Sequence, residues 1–282
     1  MPSARGLLEL TRPGNALAAG LLTFVGAFVA GGVLGTGLAG AVDWAAAVGA
    51  TVLAVGAGMA INDYFDREID RVNRPDRPIP RGAVSPREAL AFSLVLFGVA
   101  VVLAVTLPPL AVAIAVVNLL ALVAYTELFK GLPGLGNALV GYLTGSTFLF
   151  GGAAVGGRLE SVLVLFALAS LATFAREVVK DVEDVAGDRE EGLRTLPIAY
   201  GERRSLGLAT AVLAVAVLAS PVPYLLGTFG LPYLLLVVPA DAVMLYAARE
   251  SFADPSAGQS RLKLGTYVAA LAFVVGRASV VL

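Results

Sequence analysis

The stretch Asn62-Asp63-Tyr64-Phe65-Asp66-Arg67-Glu68-Ile69-Asp70 ends a long apolar run, and the rest of the chain is organised around it. Its nine residues hold three aspartates, an asparagine and an arginine, whereas only 15% of the whole chain is charged. The window that leads into it, residues 44–62, contains no Asp, Glu, Lys or Arg. Carboxylates clustered at the edge of an apolar helix repel one another unless a cation neutralises them. The stretch therefore predicts a functional site at the end of a membrane helix.

The composition places the chain in a lipid bilayer. Hydrophobic residues make up 58% of the sequence, and the mean hydropathy is +0.84. Four further windows lack charged residues, namely 13–42, 89–126, 131–157 and 205–240. Because a helix needs roughly 20 apolar residues to cross a bilayer, the longest windows must hold two spans each. The predicted fold is an all-α polytopic membrane protein that forms a single domain, residues 1–282.

Proline, glycine and charge divide the chain into nine predicted spans. They are 13–36, 42–62, 86–106, 109–127, 135–154, 160–180, 204–222, 228–249 and 262–282. Ser85-Pro86-Arg87-Glu88 is typical of a helix start, with Ser as the N-cap and Glu completing a capping box. Small residues spaced four apart, such as Gly31/Gly35 and Gly141/Gly145, predict close helix packing.

The basic residues predict which side of the membrane each loop occupies. With nine spans, 18 of the 20 Lys and Arg residues fall on one side, and only Arg158 and Arg277 fall on the other. By the positive-inside rule, the N-terminus and the aspartate-rich stretch face the cytoplasm. The predicted location is thus the cell membrane, crossed many times.

A second acidic motif repeats the first. Asp181, Asp184 and Asp188 follow one another at spacings of three and four, as Asp63, Asp66 and Asp70 do, and equivalent residues are 118 positions apart. This predicts internal repeats of four spans, about 10–130 and 131–250, followed by a ninth helix at 262–282. Because four is even, both repeats run in the same direction and present their motifs on one face.

The residue types limit the chemistry of these motifs. Cysteine and histidine are absent, so thiolate or imidazole chemistry and His-bound metals are excluded. Clustered oxygen ligands favour Mg²⁺, which binds through carboxylates and substrate phosphates. An alternative is that the acids only solvate a loop and pair with its arginines. The candidate metal ligands are Asn62, Asp63, Asp66, Asp70, Asp181, Asp184 and Asp188.

Basic residues near the motifs are candidates for binding phosphate groups, since Arg offers a planar fork and Lys a point charge. The candidates are Arg67, Arg74, Lys130 and Lys180. The net charge of −1 gives no basic excess for nucleic acid. Nothing in the sequence indicates an obligate protein partner.

Together, these motifs resemble the UbiA superfamily of intramembrane prenyltransferases. The N-D-x-x-D-x-x-x-D motif of that family matches Asn62 to Asp70, and its second Asp motif matches Asp181 to Asp188. The resemblance covers essentially the whole chain. It implies a helical bundle of nine spans around a central cavity that opens sideways to lipid. It also implies that Mg²⁺ bridges the aspartates to an isoprenyl diphosphate.

Three segments, 70–80, 174–181 and 141–151, resemble the archaeal digeranylgeranylglyceryl phosphate synthases within this superfamily. This resemblance implies transfer of a geranylgeranyl group to the lipophilic acceptor geranylgeranylglyceryl phosphate in ether-lipid synthesis. Relatives that prenylate 4-hydroxybenzoate or other quinone precursors share the same core, so an aromatic acceptor is an alternative. Tyr125 and Lys130 are the counterparts of the family's Tyr-to-Lys segment after the fourth helix.

The expected mechanism is ionisation of the prenyl donor followed by capture of the carbocation by an acceptor hydroxyl. Asn15 and Ser146 are candidates to orient the acceptor, and Asp241, inside the eighth span, has no assigned role although such a charge usually faces a cavity. The expected catalytic residues are Asp66, Asp70, Asp184, Arg67, Lys130 and Tyr125. A membrane transporter is the alternative from another class, because internal repeats and intramembrane charge also occur in transporters. A CDP-alcohol phosphotransferase is less consistent, since its D-G-x-x-A-R core is missing.

Overall fold

The computed structural model describes residues 3–31, 37–129 and 131–282, and every regular element within those ranges is a helix. The elements are α1 (Ala4–Leu10), α2 (Pro13–Val29), α3 (Gly37–Phe65), α4 (Arg67–Asn73), α5 (Pro86–Val105), α6 (Pro109–Ala124), a π-helix (Tyr125–Phe129), α7 (Leu135–Ala154), α8 (Glu160–Glu183), α9 (Val185–Glu190), α10 (Leu196–Tyr200), α11 (Glu202–Ala219), α12 (Val222–Leu225), α13 (Leu231–Glu250) and α14 (Pro255–Val281). The predicted all-α class is confirmed.

A long helix occupies each predicted span within the described residues. Six stretches are long and apolar enough to cross a membrane: α3, α5, α8, α11 together with α12, α13 and α14. Helices α2 and α6 are apolar but shorter, with 17 and 16 residues. The chain is therefore a polytopic membrane protein. The end of the first predicted span, residues 32–36, lies outside the described residues.

Helix boundaries follow the capping chemistry of the sequence. The capping box is confirmed: the Ser85 hydroxyl accepts from the Glu88 amide at 3.3 Å, and the Glu88 carboxylate accepts from the Ser85 amide at 2.9 Å. The last helix begins at Pro255, earlier than the predicted residue 262, because the Asp254 side chain caps it. The first turns of α14 carry charged residues. Charge keeps these turns out of a predicted membrane span, but it does not prevent them from being helical.

Glycines allow the closest helix contacts, as the four-residue spacing predicts for Gly141 and Gly145. A Cβ on Gly141 would lie 2.6 Å from the Ser170 carbonyl oxygen, so α7 and α8 touch backbone to backbone. For the Gly31/Gly35 pair, close packing stays a prediction. Gly31 lies beyond the end of α2 with φ of +89°, and Gly35 is outside the described residues.

The interior lies mainly in the second half of the chain, whereas α5 and α6 lie at the edge. An aromatic cluster of Phe148, Phe229, Tyr233 and Phe273 joins α7, α13 and α14. In contrast, α5 and α6 expose many large apolar side chains, including Leu94, Val95, Val102, Leu110, Val116 and Leu120. Such surfaces suit contact with lipid tails.

Candidate active site

Each acidic motif lies where a long helix passes into a short one. Asp66 stands between α3 and α4 with φ −80° and ψ 2°, and Asp184 stands between α8 and α9 with φ −92° and ψ 5°. Backbone bonds at a spacing of four continue across both breaks, from Asp66 to Asn62 and from Asp184 to Lys180. The two motifs thus share one local backbone structure, and the middle aspartate marks the bend in each.

The outer aspartates of the first motif are buried and paired with arginines. Asp63 is 3% exposed and accepts from Arg12 Nη2 at 2.7 Å and from Arg77 Nη1 at 3.2 Å. Asp70 is 4% exposed and accepts from the same Arg77 nitrogen at 2.5 Å. Arg77 therefore bridges the first and third aspartates. Charge pairing of this kind satisfies carboxylates that would otherwise be costly to bury.

The outer aspartates of the second motif are held by neutral donors. Asn137 Nδ2, on α7, donates to Asp181 Oδ2 at 2.8 Å. The Thr195 hydroxyl donates to Asp188 Oδ2 at 3.2 Å. Burial raises the pKa of the Asp188 carboxyl above its ordinary value, and the Thr195 hydrogen bond opposes that rise. Because amides and hydroxyls bring no positive charge, these two carboxyls lack the guanidinium partners that Asp63 and Asp70 have.

In both motifs the third aspartate has a hydrogen-bond partner at the same distance along the sequence. The third aspartate bonds to a residue seven positions further on, Arg77 from Asp70 and Thr195 from Asp188. Among the described residues, no side chain or backbone group donates to the carboxylates of the middle aspartates, Asp66 and Asp184. Within the part of the chain that the structure describes, these two carboxylates are therefore available to a ligand.

A polar cavity of about 540 Å³, open to solvent, surrounds the second motif. Predicted site residues that line it are Tyr125, Lys180, Asp181, Asp184 and Asp188. Asn62, Asp66, Arg67 and Arg74 of the first motif are not part of its lining. Across the described ranges, no three acidic side chains converge closely enough to form a complete metal site. Within the described ranges, therefore, neither motif forms a complete metal site by itself, and the two are not joined into one cluster.

A second pocket, about 580 Å³, lies deeper among the helices and is lined mainly by apolar side chains. Its lining includes Leu22 of α2, Phe148 of α7 and Phe273 of α14. Asp241 also lines it, as expected for a charge inside a span, and accepts from the Ser220 hydroxyl at 2.6 Å. Thr173 of α8 lines this apolar pocket, and Asp181, which lines the polar cavity, lies eight residues later on the same helix. Eight residues of helix correspond to a rise of about 12 Å between the two.

Comparison with known sequences decides the family. The profile of the UbiA prenyltransferase family matches residues 13–274, which is nearly the whole chain. The chain belongs to the UbiA prenyltransferase family. Membership disfavours the transporter alternative.

Similar proteins cover the full length of this UbiA chain. A digeranylgeranylglyceryl phosphate synthase of Natronomonas pharaonis is 66% identical over 281 residues, which is 100% of both chains. A solved structure concerned with digeranylgeranylglyceryl phosphate synthase in membranes has a TM-score of 0.80 at 36% identity and covers 98% of each chain. A UbiA homologue from Archaeoglobus fulgidus, solved with GPP and Mg²⁺, has a TM-score of 0.72 at 17% identity, covering 98% of this chain and 100% of its own. This last likeness concerns the fold alone.

The remaining predicted residues of the UbiA site occupy varied surroundings. Arg67 donates to the Tyr64 carbonyl at 2.8 Å and lies over the Tyr64 ring, with its guanidinium carbon 4.9 Å from the ring centroid. Arg74 and Asn15 are exposed, and Asn62 is half-buried. Ser146 is fully buried and donates to the Leu143 carbonyl of its own helix at 2.9 Å. Lys130 lies outside the described residues, so its role stays a prediction.

Sequence reasoning missed four residues that hold the aspartates: Arg12, Arg77, Asn137 and Thr195. One signal for Asn137 was present. The tetrapeptide Gly-Asn-Ala-Leu occurs at 14–17 and again at 136–139, near the start of α2 and of α7. Each copy begins the first long helix of a proposed repeat. A search for repeats outside the acidic motifs would have found it.

Proposed function

We propose that the protein transfers a geranylgeranyl group from geranylgeranyl diphosphate to geranylgeranylglyceryl phosphate, in the synthesis of archaeal ether lipids. The observation that carries the proposal is the full-length similarity to a synthase of that name at 66% identity. The paired acidic motifs at the ends of long membrane helices support the chemistry. In the reaction, the bond between the allylic carbon and the diphosphate oxygen breaks, and a carbon–oxygen bond to the acceptor forms as its hydroxyl loses a proton.

The residues fit a divalent cation such as Mg²⁺. All candidate ligands are oxygens, two carboxylates are free of partners within the described residues, and an open acidic cavity surrounds one of them. Asp66 and Asp184 would hold the metal, with Asp70, Asp188 and Asn62 as further predicted ligands. When bound, the metal neutralises charge on the departing diphosphate.

The protein's own residues supply the rest of the environment. Lys180 lines the acidic cavity and is placed to contact a phosphate oxygen. Tyr125 lines the same cavity, and its ring can stabilise a neighbouring carbocation. The deeper apolar pocket suits a hydrocarbon chain and excludes water from the reactive intermediate. Arg67, Arg74 and Lys130 remain candidates for further phosphate contacts, and Asn15 and Ser146 for contacts with the acceptor.

We also propose that the chain crosses the membrane nine times. The crossings form two parallel repeats, 10–130 and 131–250, followed by a ninth helix at 262–282. The shared backbone bend at Asp66 and Asp184 supports the repeat. The basic bias of 18 to 2 supports a cytoplasmic N-terminus and cytoplasmic motifs.

Because the chain has no cysteine, single cysteines at Thr106 and Glu190 can report topology. In intact cells an impermeant maleimide should label only Thr106→Cys, and the reverse pattern would refute the orientation.

The acceptor is tested by competition. Purified protein in lipid nanodiscs is incubated with labelled geranylgeranyl diphosphate and Mg²⁺. Geranylgeranylglyceryl phosphate and 4-hydroxybenzoate are both present, in equal amounts, as competing acceptors. We expect label in the glyceryl phosphate ether and release of diphosphate. Transfer to the aromatic acid alone would replace the proposed acceptor with the alternative one, while retaining the prenyltransferase chemistry.

A further inference from the structure

We infer that the first aspartate of each motif, Asp63 and Asp181, is a positioning residue that links two helices and does not bind the metal. Both residues were predicted as metal ligands from the sequence. Their roles here depend on the metal-dependent function proposed above. The middle aspartates, Asp66 and Asp184, are then the principal ligands.

In the first half, Asp63 links α3 to the junction of α1 and α2. Arg12 occupies that junction and reaches Asp63 at 2.7 Å, while its other terminal nitrogen lies 3.5 Å from the Met59 sulfur. Arg77 contacts the same Oδ1 atom of Asp63 at 3.2 Å. With two guanidinium groups on one oxygen and 3% exposure, this carboxylate is already neutralised. A cation could bind it only by displacing an arginine.

In the second half, Asp181 links α8 to the start of α7 in the corresponding way. Its partner Asn137 is 7% exposed and is the third residue of α7. The hydrogen bond fixes which Asp181 oxygen faces the neighbouring helix. In both halves, therefore, the first aspartate binds a side chain from the start of the first long helix of its own half.

The residues that begin these helices correspond at an offset of 122. Arg12 precedes α2 with φ of +44°, and Gly134 precedes α7 with φ of +76°. Asn15 and Asn137 are separated by the same offset. Glycine adopts a left-handed conformation freely, whereas other residues adopt it only at an energetic cost. Arg12 is the sole non-glycine residue with positive φ in the described ranges, and it is also the residue that reaches Asp63.

The middle aspartates differ from the first aspartates in hydrogen bonding and are more exposed in each motif. Asp66 and Asp184 lie at helix bends, and they accept no hydrogen bond from the described residues. Asp184 is exposed and lines the acidic cavity, while Asp66 is half-buried. Fixing the first aspartate to a neighbouring helix positions the middle aspartate, which lies three residues later in each motif.

The test compares conservative substitutions at the first and middle aspartates, with Mn²⁺ as the probe. Binding of Mn²⁺ to the full chain in detergent is measured by EPR for wild type, Asp63→Asn, Asp181→Asn, Asp66→Asn and Asp184→Asn. We expect the first two variants to keep the wild-type number of bound ions and the last two to lose at least one. Thermal unfolding of each variant confirms that it is folded.

Rescue at position 181 separates positioning from a general structural role. Asp181→Ala removes the hydrogen bond to Asn137 and should weaken Mn²⁺ binding about 10- to 100-fold, as loss of a supporting residue does, whereas Asp181→Asn keeps an acceptor and should stay within about threefold of wild type. Asn137→Ala should match Asp181→Ala. If Asp63→Asn does not fold, this comparison alone decides the assignment.

Each outcome has a distinct meaning. Loss of Mn²⁺ in Asp181→Asn equal to that in Asp184→Asn would overturn the positioning role and leave the proposed function intact. A wild-type protein that binds no Mn²⁺, with or without geranylgeranyl diphosphate, would overturn the metal-dependent function and the positioning role together.

Discussion

Arg77 shows how a single residue sets the charge state of the first motif. It lies seven residues after Asp70 and bridges two carboxylates that are each less than 5% exposed. Breaking a buried charge pair by removing one partner leaves an uncompensated charge, which is far more costly than loss of a surface pair. Arg71, in the same segment, offers the contrast, because its pair with Glu68 is more than half exposed on both sides.

Substitution of Arg77 should therefore destabilise the protein, whereas the matched change at Arg71 should not. We expect Arg77→Gln to lower the free energy of unfolding by about 3 kcal/mol, since two buried carboxylates lose a shared partner. Arg71→Gln should cost less than about 1 kcal/mol. Unfolding by SDS titration of the protein in mixed micelles measures both. Equal effects would mean that Arg77 does not stabilise the buried aspartates.

Sequence reasoning identified the aspartates but not their partners. Spacing and composition are visible in the chain, so the two motifs and their offset of 118 could be read directly. Pairing depends on which helices meet, and the contact of Arg12 with Asp63 spans 51 positions. The arginine-rich loop offered several equal candidates, and only packing selects Arg77.

At the scale of elements, the crossing of α2 and α7 joins the first long helices of the two halves through glycines. A Cβ on Gly26 would lie 2.2 Å from the Phe148 carbonyl oxygen, and one on Gly151 would lie 1.9 Å from the Thr23 carbonyl oxygen. No flexible side chain can yield at either point, because both neighbours are backbone atoms. Close approach of small residues is a main source of helix association in lipid.

A single methyl group at this crossing should force the helices apart. We expect Gly151→Ala to lower the free energy of unfolding by about 3 kcal/mol or to prevent folding, as overpacking of a rigid contact does. Gly98→Ala is the control, because Gly98 lies in α5 with no atom within 4 Å of the new Cβ. That change should be neutral or stabilise by up to about 1 kcal/mol. Thermal melts that show equal losses would argue against the close contact.

The sequence predicted these elements better than their contacts. Ser85 and Pro109 signalled helix starts that the structure confirms, since capping and proline act locally. The start of α14 at Pro255 was missed because charged residues were taken to end a helix as well as a span. The bends at Asp66 and Asp184 have no local signal such as proline or glycine at the bend itself.

At the scale of the whole molecule, the two acidic motifs share one spacing of aspartates but are held by partners of different charge. The first half holds its outer aspartates with arginines, and the second half holds them with Asn137 and Thr195. The carboxylates of Asp63 and Asp70 are thereby paired with guanidinium groups, whereas the second motif lines an acidic cavity. This difference could not be foreseen from the matched aspartates, because it lies in partners outside the repeated pattern.

The most direct measurement of the central claim is the rate of Mg²⁺-dependent diphosphate release from geranylgeranyl diphosphate, in the presence of geranylgeranylglyceryl phosphate, by Asp66→Asn and Asp184→Asn separately. Exposed acids beside each motif, changed in Glu68→Gln and Glu190→Gln, serve as matched controls. If both motifs act in one reaction, each aspartate variant should lose at least about 100-fold in rate while remaining folded, and the controls should retain wild-type rates. Wild-type release by either aspartate variant would contradict the account.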